Sequence, residues 1–195
     1  MEKQLEDLKA IREMMEKSSK FLSLSGLSGV MAGVTAVAGA AVAYFYILAQ
    51  SRAVAVPLLI IDALVVLAIS IGFGILFSVR NAKKHKHKIV NSVTLKMAYN
   101  LAIPLATGGI LSCIMIYRDQ IELVAAITLI FYGLGLINAA KYTHDEIHFL
   151  GLTEIVLGIG AALFLYHGII FWTIGFGICH IVYGSIMYKK YDLKK

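Results

Sequence analysis

Cysteine and charge, two features that many secreted or soluble domains rely on, are both scarce in this chain. Its 195 residues include two cysteines, Cys113 and Cys179, and both lie within long apolar runs. That usage excludes a secreted, disulfide-stapled domain, so we expect both thiols to be small buried side chains. Charged residues make up 15% of the chain and hydrophobic residues 59%, with a mean hydropathy of +0.79. A soluble domain of this length is far less apolar.

Motifs typical of catalysis or cofactor binding are also missing. Zinc proteases carry H-E-x-x-H or H-x-x-E-H, and the string His144-Asp145-Glu146-Ile147-His148 fits neither pattern. Membrane di-iron oxidases use several histidine clusters, for which six histidines in the whole chain are too few. We therefore expect a non-enzymatic protein without a cofactor.

Six long apolar runs fill most of the chain. They cover residues 21–49, 53–79, 89–117, 123–140, 147–166 and 169–187. A helix needs about 20 apolar residues to cross a bilayer core about 30 Å thick, and each run is close to that length or longer. Because the runs are uniformly apolar and do not alternate, they are not barrel strands. The sequence predicts an all-α polytopic membrane bundle of six transmembrane helices, arranged as three hairpins.

The segment before the first run is predicted to be a cytoplasmic amphipathic helix, residues 1–20. Its residues Leu5, Leu8, Ile11 and Met15 recur at spacings of three and four and form one apolar stripe. This stripe either lies on the membrane or the bundle, or pairs with a partner, and both interpretations stay open. Five acids and five bases in this segment argue against a cleaved signal peptide. Residues 21–189 are predicted to be the transmembrane domain and residues 190–195 a basic cytoplasmic tail.

Basic residues collect on alternate sides of the predicted spans. Residues 80–88 hold five bases and no acid, and the last seven residues hold four lysines. Short loops rich in Lys and Arg stay cytoplasmic, so we expect a multi-pass protein of the cell inner (plasma) membrane with both termini cytoplasmic. The loop bases either signal topology alone or also contact anionic lipid head groups, at about 1 kcal/mol each; nucleic acid is not expected as a partner. These bases are Arg80, Lys83, Lys84, Lys86 and Lys88.

Glycines recur at matching places in the predicted hairpins. The string IGFGI occurs at residues 71–75 and again at 174–178, and Gly133 and Gly135 form a similar pair in the fourth run. Small residues let helix backbones approach closely in membranes, so we expect close packing, with helix bending at a binding site as the alternative. With its glycine-rich residues 151–184, this layout resembles the HdeD-type bacterial inner-membrane proteins. The resemblance implies a six-helix membrane protein linked to acid stress, with no established enzymatic activity, and it carries no functional residue across.

Polar side chains well inside the apolar runs are the main candidates for function. A charge at such depth costs about 3 kcal/mol or more, so each is expected to have a partner or a role. At about 1.5 Å per helical residue, groups from four runs fall in one layer near the middle of the membrane, and we expect Lys96 to pair with one of the two carboxylates. The candidates are Asp62, Lys96, Asn100, Glu154 and His180.

Three interpretations of this layer stay open. In the first, the buried charges determine which helices meet, in a non-enzymatic membrane protein with a packing, regulatory or stress-associated role. In the second, the chain is a small ion- or proton-coupled transporter or pore that uses Asp62, Lys96 and Glu154. In the third, Lys96 extends to the interface and no common site exists. Because six helices enclose little beyond their own side chains, we also expect a homo-oligomer.

A weaker candidate is a metal site at His144 and His148, which lie four residues apart on one predicted helical face. Imidazoles at this spacing can share a metal ion. Such a site needs a third ligand, for which His85 or His87 in the basic loop is available. The alternative is the polar start of an interfacial helix, where the two intervening acids favour the helix dipole.

Overall fold

The structure of the protein is a computed structural model, which describes Ile11, residues 25–84 and residues 92–193. Within these residues there is no β-strand, and six helices are long and apolar enough to cross a membrane. The prediction of an all-α chain with six such helices is therefore confirmed. The helices are α1 (Gly26–Ile47), α2 (Arg52–Lys84), α3 (Ser92–Tyr117), α4 (Ile121–Ala140), α5 (Glu146–Leu163) and α6 (Leu165–Asp192).

Some expectations fall on residues outside this description. The predicted amphipathic helix lies there, apart from Ile11, which is helical and exposed. The loop bases Lys86 and Lys88 and the histidines His85 and His87 also lie outside the described residues. These predictions therefore stay predictions.

α6 extends further at its C-terminus than the apolar run suggested. Its last turn, Tyr188–Asp192, includes the first residues of the predicted basic tail. The Asp192 carboxylate is buried, and it accepts hydrogen bonds from Ser25 Oγ at 2.7 Å and Gly26 N at 3.1 Å. These contacts hold the last turn against the start of α1, which hydropathy alone does not indicate.

The central helix of the bundle is α6. It packs along α1 on one side and against α4 and α5 on the other. α2 packs mainly on α1, and α3 packs mainly on α4. Successive helices do meet as pairs, but the two most extensive contacts, α4 with α5 and α1 with α6, join different predicted hairpins.

These two extensive contacts use the same packing device. A Cβ on Gly133 would lie 2.5 Å from the Gly151 carbonyl oxygen and 3.0 Å from Ile155 N. A Cβ on Gly33 would lie 2.6 Å from the Gly177 carbonyl oxygen and 2.9 Å from Ile181 N. In both contacts, a glycine of one helix faces a glycine and the isoleucine four residues later on its neighbour. Backbones approach this closely only where side chains are absent.

The glycine pair in α2 differs from those in α4 and α6. A Cβ on Gly72 or Gly74 would have no described atom within 4 Å. The two IGFGI strings therefore have different surroundings. Close packing explains the copy in α6, whereas the copy in α2 lies in open space relative to the described residues.

The two ends of the bundle are fixed by polar contacts. At one end, Arg52 Nε lies 2.9 Å from Asp119 Oδ1, and Arg52 Nη1 lies 3.2 Å from Glu122 Oε1. This ties the start of α2 to the turn between α3 and α4. At the other end, Lys84 Nζ donates to the Asp192 carbonyl oxygen at 3.3 Å. The start of α1 and the ends of α2 and α6 therefore lie at the same end of the bundle.

Candidate functional site

A row of three polar side chains joins α4, α5 and α6 in the interior of the bundle. Glu154 of α5 is 0% exposed and His180 of α6 is 6% exposed. Glu154 Oε1 lies 3.4 Å from His180 Nδ1, and His180 Nε2 lies 2.8 Å from the Tyr132 hydroxyl of α4. Tyr132, Glu154 and His180 are called the central cluster below.

The partners of His180 assign its protons. His180 Nδ1 also lies 3.0 Å from the Gly175 carbonyl oxygen. A carbonyl oxygen can only accept, so Nδ1 carries a hydrogen and donates it to Gly175. In the neutral imidazole, Nε2 is then the acceptor, and the Tyr132 hydroxyl donates to it. The ring is thus fixed from two helices.

Glu154 is less well satisfied than His180. Both of its carboxyl oxygens are buried, and neither has a hydrogen-bond partner among the described residues. Its closest polar neighbour is the imidazole of His180. Because buried polar atoms in proteins nearly always have a partner, this carboxyl group requires an explanation.

Glu154 and the apolar side chain of Leu129 share the space beside Gly175. A Cβ added to Gly175 would collide with Glu154 Oε2 and would lie 2.6 Å from Leu129 Cδ2. Leu129 itself is fully buried. The carboxyl group therefore fits into a space that exists because residue 175 has no side chain.

The local geometry of α6 explains how Gly175 and His180 meet. Residues Thr173–Cys179 form a π-helix, which is wider than an α-helix and is found mostly as short segments, often at functional sites. Within this wider turn the carbonyl of Gly175 reaches the imidazole five residues later. Phe176 stacks near both Tyr132 and His180, with ring centroids 5.0 Å and 6.0 Å away. The ring of Phe176 thus lies beside the imidazole of His180.

The expected ion pair of Lys96 with a buried carboxylate is wrong for Glu154. Lys96 is exposed on α3, and the ion contact of Glu154 is to His180. Asn100 Nδ2 donates to the Lys96 carbonyl oxygen at 2.8 Å, so its amide is bound to its own helix. α3 packs mainly on α4, and the face with Lys96 is turned away from that contact.

Asp62 lies in a third environment, between α2 and α1. It is half-buried, and its Oδ2 lies 3.4 Å from the position of a Cβ on Gly39. Within the described parts of the chain, Asp62 forms no ion pair with Lys96. The five predicted candidates therefore do not form one site: the structure brings together Glu154 and His180 alone.

The two predicted metal-ligating histidines have different surroundings. His144 is buried and stacks on Tyr191, with ring centroids 3.9 Å apart. His148 is exposed and makes an edge contact with Phe149. Among the residues that the structure describes, no group of three His, Cys, Asp or Glu side chains could hold a metal ion. His85 and His87, the candidates for the third ligand, lie outside the described residues.

Sequence reasoning missed Tyr132, which belongs to the central cluster, and the role of Gly175 beside it. A tyrosine in the middle of an apolar run is a usable signal, because its hydroxyl group needs a partner when buried. The special role of Gly175 has no such signal, since the same five-residue string surrounds Gly72. Distinguishing the two glycines requires knowing which helix lies opposite.

Comparison of the chain with protein-family models, with curated proteins and with solved structures gives no match.

Proposed function

We propose that this chain is a polytopic protein of the cell inner membrane, with both termini cytoplasmic and a non-enzymatic packing or regulatory role. The six apolar helices support the membrane assignment. The bases at the end of α2, including Arg80 and Lys83, support a cytoplasmic location for that end of the bundle. The Lys84–Asp192 contact supports the same side for the C-terminus.

One observation carries the packing role: the Glu154 carboxyl group fills a space bounded by Leu129, Gly175 and His180. A polar group enclosed by three helices determines which faces of α4, α5 and α6 can meet, since any other arrangement leaves it in hydrocarbon without a partner. Interhelical polar contacts in membranes average about 0.6 kcal/mol. The polar contacts of the central cluster therefore contribute more to the choice of packing than to total stability, whereas the volume of the Glu154 side chain contributes to stability by filling the interior.

The packing role is tested by thermal unfolding of the full-length protein in detergent. Glu154→Ala leaves a cavity among three helices, so we expect the free energy of unfolding to fall by about 1–3 kcal/mol. This loss should appear as a clearly lower Tm. Val156→Ala is the matched control, because residue 156 lies on the same helix with its side chain exposed. Equal Tm values for the two variants would contradict the proposal.

The transport alternative keeps one supporting observation, the carboxyl group of Glu154 without a hydrogen bond from the described chain. It requires proton or cation flux in liposomes that Glu154→Gln abolishes while the variant stays folded. The same assay on Asp62→Asn tests whether the half-buried carboxylate of α2 takes part. If liposomes containing the wild-type protein show no more flux than empty vesicles, the transport alternative is contradicted and the packing role remains.

Several finer expectations belong to the same proposal. The resemblance to HdeD-type proteins, with the link to acid stress that it implies, is part of the proposal. Self-association and contact of the α2 bases with anionic lipid are expected on the physical grounds given above. Crosslinking in native membranes tests the first, and binding to vesicles with and without anionic lipid tests the second.

A further inference from the structure

The inference concerns the ligand of the central cluster and rests on the proposed function, because it takes these side chains to lie within a membrane bundle. Glu154 has two buried oxygens that receive no hydrogen bond from the described residues. Its walls are close: a methyl group on Gly175 would already collide with Oε2. With the walls in place, the ligand that this carboxyl group can accept is a proton.

No Lys or Arg side chain in the described part of the chain forms an ion pair with Glu154. The titratable side chains that lie close enough to interact with it are Tyr132 from α4 and Cys179 and His180 from α6. Among the described residues, neither α1, α2 nor α3 provides an ion-pair partner for it. A bare carboxylate in such a place is very costly. The carboxyl group and the imidazole must therefore hold one proton that cancels their combined charge.

We propose that Glu154 and His180 form a proton-binding site that exchanges one proton with the surrounding water, with Tyr132 closing the row at the far nitrogen. With the proton on Glu154, the carboxylic acid is neutral, His180 Nδ1–H donates to the Gly175 carbonyl, and the Tyr132 hydroxyl donates to Nε2. With the same proton on His180, the imidazolium faces a carboxylate and donates from both nitrogens. Both forms have no net charge.

Release of the proton changes one hydrogen bond. The cluster then has one negative charge, on Glu154, and a single N–H group close to it, that of His180 Nδ1. This hydrogen lies between two acceptors, the Gly175 carbonyl at 3.0 Å and Glu154 Oε1 at 3.4 Å. The carboxylate is the stronger acceptor, so the N–H turns towards it and leaves the Gly175 carbonyl. Proton release thereby weakens a contact inside the π-helix of α6.

The consequence is a link between protonation and the shape of α6. The π-helix of residues Thr173–Cys179 holds the Gly175 carbonyl towards the imidazole. When that hydrogen bond is lost, the wider turn loses one of its supports. We expect the contact of α6 with α5 to loosen on proton release, because water must then reach the charged carboxylate.

Infrared difference spectroscopy of the purified full-length protein between acidic and alkaline pH tests the site. All twelve Asp and Glu side chains give a carboxylic acid C=O band when protonated, so the relevant signal is the component of this band that Glu154→Gln removes. We expect the wild type to have such a component and to lose it as the pH rises. Glu146→Gln is the matched control, because Glu146 is paired with Lys190 at the end of the bundle and its loss should leave this component unchanged. Tyr132→Phe should shift the component or its midpoint, since Nε2 then has no donor.

A second measurement covers the case in which Glu154→Gln does not fold. Wild-type protein with 15N-labelled histidine shows by NMR whether an imidazole with a protonated Nδ1 titrates together with the infrared band, and His180→Gln assigns that signal. Identical carboxylic acid bands in the wild type and Glu154→Gln at every pH, or no such histidine signal at any pH where the protein is folded, would overturn the proposal. Loss of Tm in Glu154→Ala without any titration would contradict the proton site alone and leave the packing role intact.

Discussion

Gly175 and Glu154 are complementary: the carboxyl group of Glu154 occupies the volume that a side chain on residue 175 would need. The two residues lie on different helices, α6 and α5, so this fit sets how these helices meet. The same glycine contributes its carbonyl oxygen to His180. One residue without a side chain therefore both admits the carboxyl group and fixes the imidazole beside it.

The first prediction uses the two copies of the string IGFGI. Gly175→Ala places a methyl group against Glu154 Oε2 and Leu129 Cδ2, so we expect a loss of about 1–3 kcal/mol in stability from overpacking. Gly72→Ala changes the same string where no described atom lies within 4 Å of the new methyl group. That variant should keep or slightly raise Tm, since alanine favours the helix. Similar losses in thermal unfolding for both variants would show that the surroundings do not matter.

The second prediction concerns the contact between the start of α1 and the end of α6. Ser25→Ala and Asp192→Asn each weaken the hydrogen bonds at the start of α1, and a lost helix cap costs about 1 kcal/mol. Because both variants affect one interaction, their effects on Tm should not add in the double variant. Fully additive losses would mean that the two residues stabilise the protein independently.

The third prediction separates Lys96 from the central cluster. Lys96→Gln changes an exposed side chain, so the change in stability should stay within about 0.5 kcal/mol. His180→Gln removes the ring that bonds to Tyr132 and Gly175, and it should lower Tm clearly. The comparison is made by thermal unfolding in one detergent. A larger fall in Tm for Lys96→Gln than for His180→Gln would support the ion pair of Lys96 that the sequence predicted.

The fourth prediction concerns the exposed ion pairs of Arg52 with Asp119 and Glu122. Arg52→Gln should cost at most about 1 kcal/mol, because exposed pairs are weakened by water and side-chain entropy. The difference in Tm from the wild type should shrink as salt is raised, since salt screens such charges. A difference that does not depend on salt would assign the effect to packing of the arginine stem.

The helices could be predicted from the sequence because apolar composition over about 20 residues is a local property. The bounds of α3 and α4 at Tyr117 and Ala140 agree with the ends of the apolar runs. Which way each polar side chain points could not be predicted in the same way. Counting residues gives depth along a helix, but it does not say which neighbour lies opposite.

Lys96 and His180 illustrate this limit. Both were assigned to the same layer by depth, yet Lys96 is exposed and His180 is buried beside Glu154. The difference arises because α6 lies at the centre of the bundle and α3 packs mainly on one neighbour. This arrangement depends on contacts between distant parts of the chain, such as Gly33 with Gly177, which no local pattern specifies.

The contact of Asp192 with Ser25 and Gly26 has a consequence for biosynthesis. Because α1 precedes α6 in the chain, α1 is synthesised before the Asp192 carboxylate that it contacts and before the glycines of α6 that it packs against. The contact between α1 and α6 can therefore form only after residues Tyr188–Asp192 have been made. A nascent chain halted just before Asp192 would contain almost all of the six described helices and would still lack the hydrogen bonds to Ser25 and Gly26.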